Sequence, residues 1–190
     1  MTAPNDEQRD ELLLSCRYGD LEDVQQFVKD FGEQCLADVR DDNENCILHM
    51  ICGNGHIDTL EYLLPIIPPS LLSSQNQSGS TPLHWAAVNT HLNVAKKLVG
   101  FKDGPGVDLI DIKNTAGHSP LAEAELAGWD EGAKWMVEVM NLGPEKLGDT
   151  PGGDAEEDVD AAEVLERDIE VEIEDADGQV AKMTISGASS

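Results

Sequence analysis

TPLHWAAVNTHLNVAKKLV, residues Thr81–Val99, reads as two short antiparallel helices. Thr81 fits an N-cap, its hydroxyl placed to accept from a first-turn backbone N–H. Pro82 follows at the first helical position, where its missing N–H costs nothing. Leu83, Ala86 and Ala87 recur at helical spacing, and the small alanines let a second helix approach closely. Asn89-Thr90-His91 breaks the pattern, and Leu92, Val94, Ala95, Leu98 and Val99 then form a second apolar stripe with Lys96 and Lys97 outward. A helical hairpin this small cannot bury its apolar face alone, so it requires neighbours.

The neighbours are present. CILHMICGNGHIDTLEYLL, Cys46–Leu64, aligns without gaps at a shift of 35 residues, setting Leu48 on Leu83, His49 on His84 and Gly55-His56 on Thr90-His91. SPLAEAELAGWDEGAKWMV, Ser119–Val137, repeats the pattern, with Leu121 lying 38 residues after Leu83. ELLLSCRYGDLEDVQQFV, Glu11–Val28, is a degenerate copy in which Gly19 matches Gly55, 36 residues apart. TPLHWAA resembles the ankyrin-repeat signature, roughly D-x-x-G-x-T-P-L-H-x-A-A-x-x-G-H with a period of about 33 residues. The resemblance implies an all-α ankyrin-repeat solenoid of about four helix-turn-helix repeats over residues 7–140. A tetratricopeptide array, the competing helix-pair solenoid, lacks both the Thr-Pro start and the Gly-His break.

The whole chain carries 38 acidic and 12 basic residues, a net charge of −26. Nucleic acid and anionic membrane surfaces are poor partners for such a chain, because binding them rests on Lys and Arg neutralising phosphate. A basic polypeptide is the natural partner, against the blander reading that acidity only aids solubility. No apolar run approaches 18 residues, and MTAPNDEQRDE has neither the basic n-region nor the apolar core of a signal peptide. Cys16, Cys35, Cys46 and Cys52 are accordingly expected as free thiols.

In chain order, residues 1–6 read as a flexible start and Glu7–Phe31 as the first helix pair. Leu36–Asn45 reads as a polar loop ending in a finger-like turn, where Glu44 replaces the usual Gly. Asn76–Ser80 and Asn114–His118 are the next fingers, and Gly100–Ile112 is a longer connection. Residues 141–190 hold 15 acidic and 3 basic residues. Asn141–Gly153 reads as a Gly/Pro linker, and the acidic tail beyond it as largely disordered. Within the tail Ile169–Ile173 alternates with period two, Asp177-Gly178 is a turn signal, and Val180, Met183 and Ile185 continue as a candidate second strand.

Candidate chemistry is sparse. Cys46, His49 and Cys52 stand three apart like metal ligands, yet they occupy the Thr, His and Ala positions of the signature and lack a fourth partner at structural-zinc spacing. No nucleophile elbow, phosphate loop or Cys–His dyad in a recognised setting is present, so neither an enzyme nor a cofactor is expected. A binding surface remains. The ankyrin resemblance implies a concave groove of fingers and inner helices, and it places Met50, Asn54, Trp85, Asn89 and Glu123 there. Trp85 suits an interface anchor, or else packs on the adjacent inner helix. Glu123 and Glu125 put two carboxylates on the last inner helix, either receiving a partner's Lys or Arg or merely tolerated at a terminal cap. Asp41, Asp42 and Glu44 extend an acidic rim along the finger.

The pieces ILHMICGNGHIDTLEYLL, STPLHWAAVNTHLNVAKKLV and AGHSPLAEAELAG, with the acidic tail, resemble the yeast-type ankyrin-repeat chaperones dedicated to small-subunit ribosomal protein S-three. That resemblance implies a monomeric, non-enzymatic escort. It would bind a newly made basic ribosomal protein of the small subunit, keep it soluble and accompany it from cytoplasm to nucleus for ribosome biogenesis. A generic ankyrin adaptor in signalling or transcription, or an inhibitor that covers an active site, is the alternative on the same fold.

Overall fold

The computed structural model describes residues 3–142, 169–174 and 180–185. The chain divides into two compact units, Met1–Thr150 and Pro151–Ser190.

The first unit begins at Asn5, whose side chain accepts from the Gln8 N–H at 2.9 Å while Gln8 Oε1 accepts from the Asn5 N–H at 3.0 Å. This closed capping box starts α1, Asp6–Tyr18, so order begins earlier than a flexible start to residue 6 implies. Gly19, in the left-handed region at φ 77°, turns the chain into α2, Leu21–Phe31. The pairs that follow are α3, Ile47–Asn54, with α4, Ile57–Leu63; α5, Pro82–Val88, with α6, Leu92–Val99; and α7, Pro120–Leu126, with α8, Asp130–Leu142. These are the four expected repeats. The helices α1, α3, α5 and α7 pack one on the next as an inner layer, and α2, α4 and α6 do so behind them.

The repeated apolar positions close the core. Leu12, Leu48 and Leu83 occupy the same site in successive repeats and are buried, as are Cys16, Cys52 and Ala87 at the site four residues on. Behind them Val24, Leu60, Leu63, Val94 and Leu98 seal the inner layer against the outer one. Leu36–Asn45 is not simply a polar loop. Its start belongs to a 3₁₀ helix, Glu33–Asp38, that buries Leu36, and Val39 follows it into the core. Pro69–Ser73 and Gly106–Ile110 form matching 3₁₀ turns that bury Leu71, Leu72, Leu109 and Ile110. The last of these packs against α6, α7 and α8, which accounts for the wider spacing of the fourth repeat.

Thr90 stands where Gly19 and Gly55 turn the earlier repeats, and it holds φ 62°. A β-branched residue in that region is strained by about 1–2 kcal/mol, partly offset by the greater freedom glycine loses on folding. Thr90→Gly is therefore expected to stabilise the repeats by about 1 kcal/mol. Urea unfolding checks this, and an unchanged or lower midpoint would show that the Thr90 side chain is compensated by its surroundings.

In the second unit β1, Ile169–Glu174, pairs antiparallel with β2, Val180–Ile185. Ile169 stands opposite Ile185, Val171 opposite Met183 and Glu174 opposite Val180. α8 takes in Asn141 and Leu142, the first two residues of the Gly/Pro stretch. The rest of that stretch, the Asp177-Gly178 turn and the expected disorder of the tail lie outside the described residues.

Candidate functional site

The fingers are built by one repeated side-chain device. Asp41 Oδ1 accepts from the N–H groups of Asn43 and Asn45 at 2.9 and 2.8 Å. Asn76 Oδ1 accepts from Ser78 and Ser80 at 3.0 and 2.9 Å. Asn114 Oδ1 accepts from Ala116 and His118, both at 3.0 Å. In each the short side chain closes the turn that the backbone alone leaves open. Glu44 completes its turn at φ 62°, beside Gly79 at 70° and Gly117 at 82°, so the glycine-less finger keeps the shared geometry with some strain. Adjacent fingers join edge to edge, the Gln77 N–H donating to Asn43 O and the Thr115 N–H to Ser78 O, both at 3.0 Å. Asp41 is thereby committed to the fold, its second oxygen accepting from Asn45 Nδ2 at 2.8 Å. Asp42 and Glu44 remain exposed at the tip.

Two buried histidines tie the inner helices to the fingers. His49 Nδ1 accepts from the Cys46 N–H at 3.1 Å, and its Nε2–H donates to Ser80 O at 2.8 Å, in the next finger. His84 Nδ1 accepts from the Thr81 N–H at 3.0 Å, and its Nε2–H donates to His118 O at 3.1 Å. These bonds assign the neutral tautomer. Burial pushes the His49 pKa down to about 4, with the positive charge of Arg40 adding to the effect. Burial lowers His84 as well. With both ring nitrogens of His49 engaged, the Cys46–His49–Cys52 set offers no imidazole to a metal. Burial also raises the thiols of Cys16, Cys46 and Cys52, leaving them protonated and unreactive at neutral pH. His56 and His91 stitch neighbouring repeats: each ring lies where a Cβ on Gly19 or Gly55 would stand, and each Nε2–H donates to the preceding inner helix, at Arg17 O (2.8 Å) and Gly53 O (3.3 Å).

The open face of the inner layer carries three rows, one residue per repeat. The first is Leu14, Met50, Trp85 and Glu123; the second Arg17, Gly53, Val88 and Leu126; the third Tyr18, Asn54, Asn89 and Ala127. Four large apolar side chains stand out of them: Leu14 is 50% exposed, Tyr18 67%, Val88 48% and Leu126 67%. The expected contact residues divide. Met50 is buried at mid-array. Trp85 packs on α3, edge-on to His49 at 5.5 Å between centroids and against Gly53, so it both builds the face and shows part of itself there. Asn54 and Asn89 turn back on their own helices, donating to Met50 O at 2.8 Å and Trp85 O at 2.9 Å.

Glu123 and Glu125 do not act as a pair. Two residues apart on α7, they project from opposite sides of the helix. Glu123 Oε1 accepts from Asn114 Nδ2 at 2.8 Å and lies 3.2 Å from His118 Nδ1, which fixes the last finger. Glu125 is exposed on the side where the matching Cys16, Cys52 and Ala87 are covered by a following repeat. Leu14 and Tyr18 were not singled out from the sequence. The signal was there, since the 36-residue shift that sets Gly19 on Gly55 also sets Leu14 on Met50 and Tyr18 on Asn54.

Comparison with known proteins agrees with this geometry. The family model for ankyrin repeats in three copies matches residues 12–111. An ankyrin repeat-containing protein of Schizosaccharomyces pombe is 34% identical over 119 residues, covering 62% of this chain and 75% of its own. The ankyrin repeat-containing protein YAR1 of Saccharomyces cerevisiae is 28% identical over 149 residues, 73% of this chain and 72% of that protein. Among solved structures, a chain from the crystal structure of the yeast ribosomal protein Rps3 in complex with its chaperone Yar1 aligns with TM-score 0.66 and 27% identity. That alignment covers 71% of this chain and 94% of the other. With its matched repeats spanning more than half of its length, this chain belongs to the ankyrin-repeat family.

Proposed function

We propose that this protein is a dedicated, non-enzymatic chaperone for a basic ribosomal protein of the small subunit, of the Rps3 type. The observation that carries the reading is the alignment of 71% of this chain with nearly the full length of a chain from the complex of Rps3 with its chaperone Yar1. The physical character of the surface suits such a cargo. An apolar strip of Leu14, Tyr18, Val88 and Leu126 can cover apolar surface of an unassembled protein, while the net charge of −26 draws in a Lys/Arg-rich chain and holds it off RNA. Escort between cytoplasm and nucleus is part of the proposal.

The test is a pull-down from nuclease-treated lysate of the source cell, with the full chain as bait, at low and high salt. One small-subunit ribosomal protein should dominate at low salt. Its affinity should fall by about tenfold or more as ionic strength rises from about 0.05 to 0.5 M, because the attraction is screened over a few ångströms at the higher value. Enrichment of signalling or chromatin proteins in its place would favour the adaptor reading.

A further inference from the structure

The exposed end of the first repeat holds a cleft of about 210 Å³ between α1 and α2. Its floor is apolar, formed by Leu12 with Phe27 and Phe31, whose rings lie 4.8 Å apart at a tilt of 48°. Its rim carries Glu11, Asp23 and Asp30. All three carboxylates are exposed, and among the described residues none has a cationic partner within the chain. Among the described residues Asp30 accepts from the amide of Gln26 at 2.9 Å. In the later repeats the corresponding end of the helix pair is closed by the repeat before it, whereas among the described residues no helix covers this end of α1 and α2.

We propose that this cleft is a second docking site, filled by an arginine side chain from a basic protein partner. The guanidinium plane stacks on an aromatic face and its fork of N–H donors pairs with carboxylate oxygens, while the methylene stem covers the apolar floor. Charge complementarity selects the occupant: the rim carries three carboxylates, and no Lys, Arg or His lines the cleft to oppose them. A carboxylate-bearing or phosphorylated ligand is repelled, and a purely apolar one leaves the rim without a partner. The site would fix one end of a bound basic chain and so set its direction along the repeats, which the apolar strip alone does not do.

The proposal rests on the reading of a basic partner, but its test does not. A short glycine-flanked arginine peptide, titrated into the isotope-labelled full chain, should shift the Phe27 and Phe31 ring signals and the Asp23 and Asp30 amides before any others. Asp23→Asn with Asp30→Asn should weaken that binding by about fivefold, roughly the value of one exposed ion pair. The isosteric citrulline peptide should not bind, and Asp103→Asn with Asp108→Asn, which removes two exposed carboxylates outside the cleft, should leave the titration unchanged. Shifts spread evenly over all acidic segments, or unaltered by the Asp variants, would overturn the cleft while leaving the chaperone reading standing. Saturable seating in the cleft, with no ribosomal protein recovered from lysate, would do the reverse.

Discussion

Acidification from pH 7 to pH 4 should cost the repeats about 3 kcal/mol more than it costs a variant in which His49 cannot titrate. The unfolded chain binds a proton at His49 near the ordinary histidine value of 6.5, and the folded chain only at about 4. Between those values the unfolded state holds more protons, so stability is full above the upper pKa and is lost as pH falls toward the lower one. His84 shifts in the same direction and adds to the loss. The 38 carboxylates complicate a bare measurement, because protonating them relieves self-repulsion and works the other way. His49→Gln separates the two. Glutamine at this third helical position can still accept from the Cys46 N–H, as Gln8 does from Asn5, but it has no proton to gain. Urea unfolding of both proteins at intervals from pH 7.5 to 4 gives the difference directly. Parallel curves for the two would mean that the imidazole titrates in the native state as it does in the unfolded chain, while a constant offset between them reports the lost bond to Ser80.

The same residue shows what the sequence makes legible. Leu83, His84 and Ala87 recur with a fixed period, and periodicity is what a repeat fold must have, so the four helix pairs could be read before any coordinates. Turn chemistry was partly legible: Gly79 and Gly117 marked two fingers, but Glu44 gave no sign that it would accept φ 62° in the third. That tolerance comes from Asp41, whose side chain accepts from two backbone N–H groups across the same turn. The 3₁₀ turns escaped because Leu36, Leu72 and Leu109 sit in otherwise polar or Gly/Pro-rich stretches with no helical period to announce them. The site was less legible than the fold. Asp41, Asn54, Asn89 and Glu123 are polar residues at the right positions, yet each is engaged by its own chain, and pattern cannot distinguish an engaged carboxylate or amide from a free one. Leu14 and Tyr18 were passed over for another reason: the first repeat is degenerate, so its positions on the open face are not marked by the signature residues that mark them in the later copies.

The two most exposed of the large apolar side chains, Tyr18 and Leu126, carry the second large effect. Tyr18→Ala should weaken capture of the proposed basic ribosomal cargo by about 2 kcal/mol, roughly thirtyfold in Kd, and Leu126→Ala at the far end of the inner layer by somewhat less. Tyrosine combines a large apolar area with a hydroxyl and little conformational freedom to lose, which favours it as an anchor. Both side chains are 67% exposed, so truncating them should change folding stability by less than about 0.5 kcal/mol, and any loss of binding can be read as loss of contact. Trp85→Ala would confuse the two, since its ring also packs on Gly53 and His49. The exposed finger carboxylates supply the contrast. Asp42→Asn with Glu44→Gln should slow association and flatten its salt dependence while leaving dissociation nearly unchanged, because rim charges steer encounter more than they hold a complex. Surface-immobilised cargo with the full chain in flow, at two salt concentrations, measures both rates for every variant. If Tyr18→Ala and Leu126→Ala bind as the parent does while the finger variant loses affinity through faster dissociation, the cargo lies on the fingers and the apolar strip belongs to another partner.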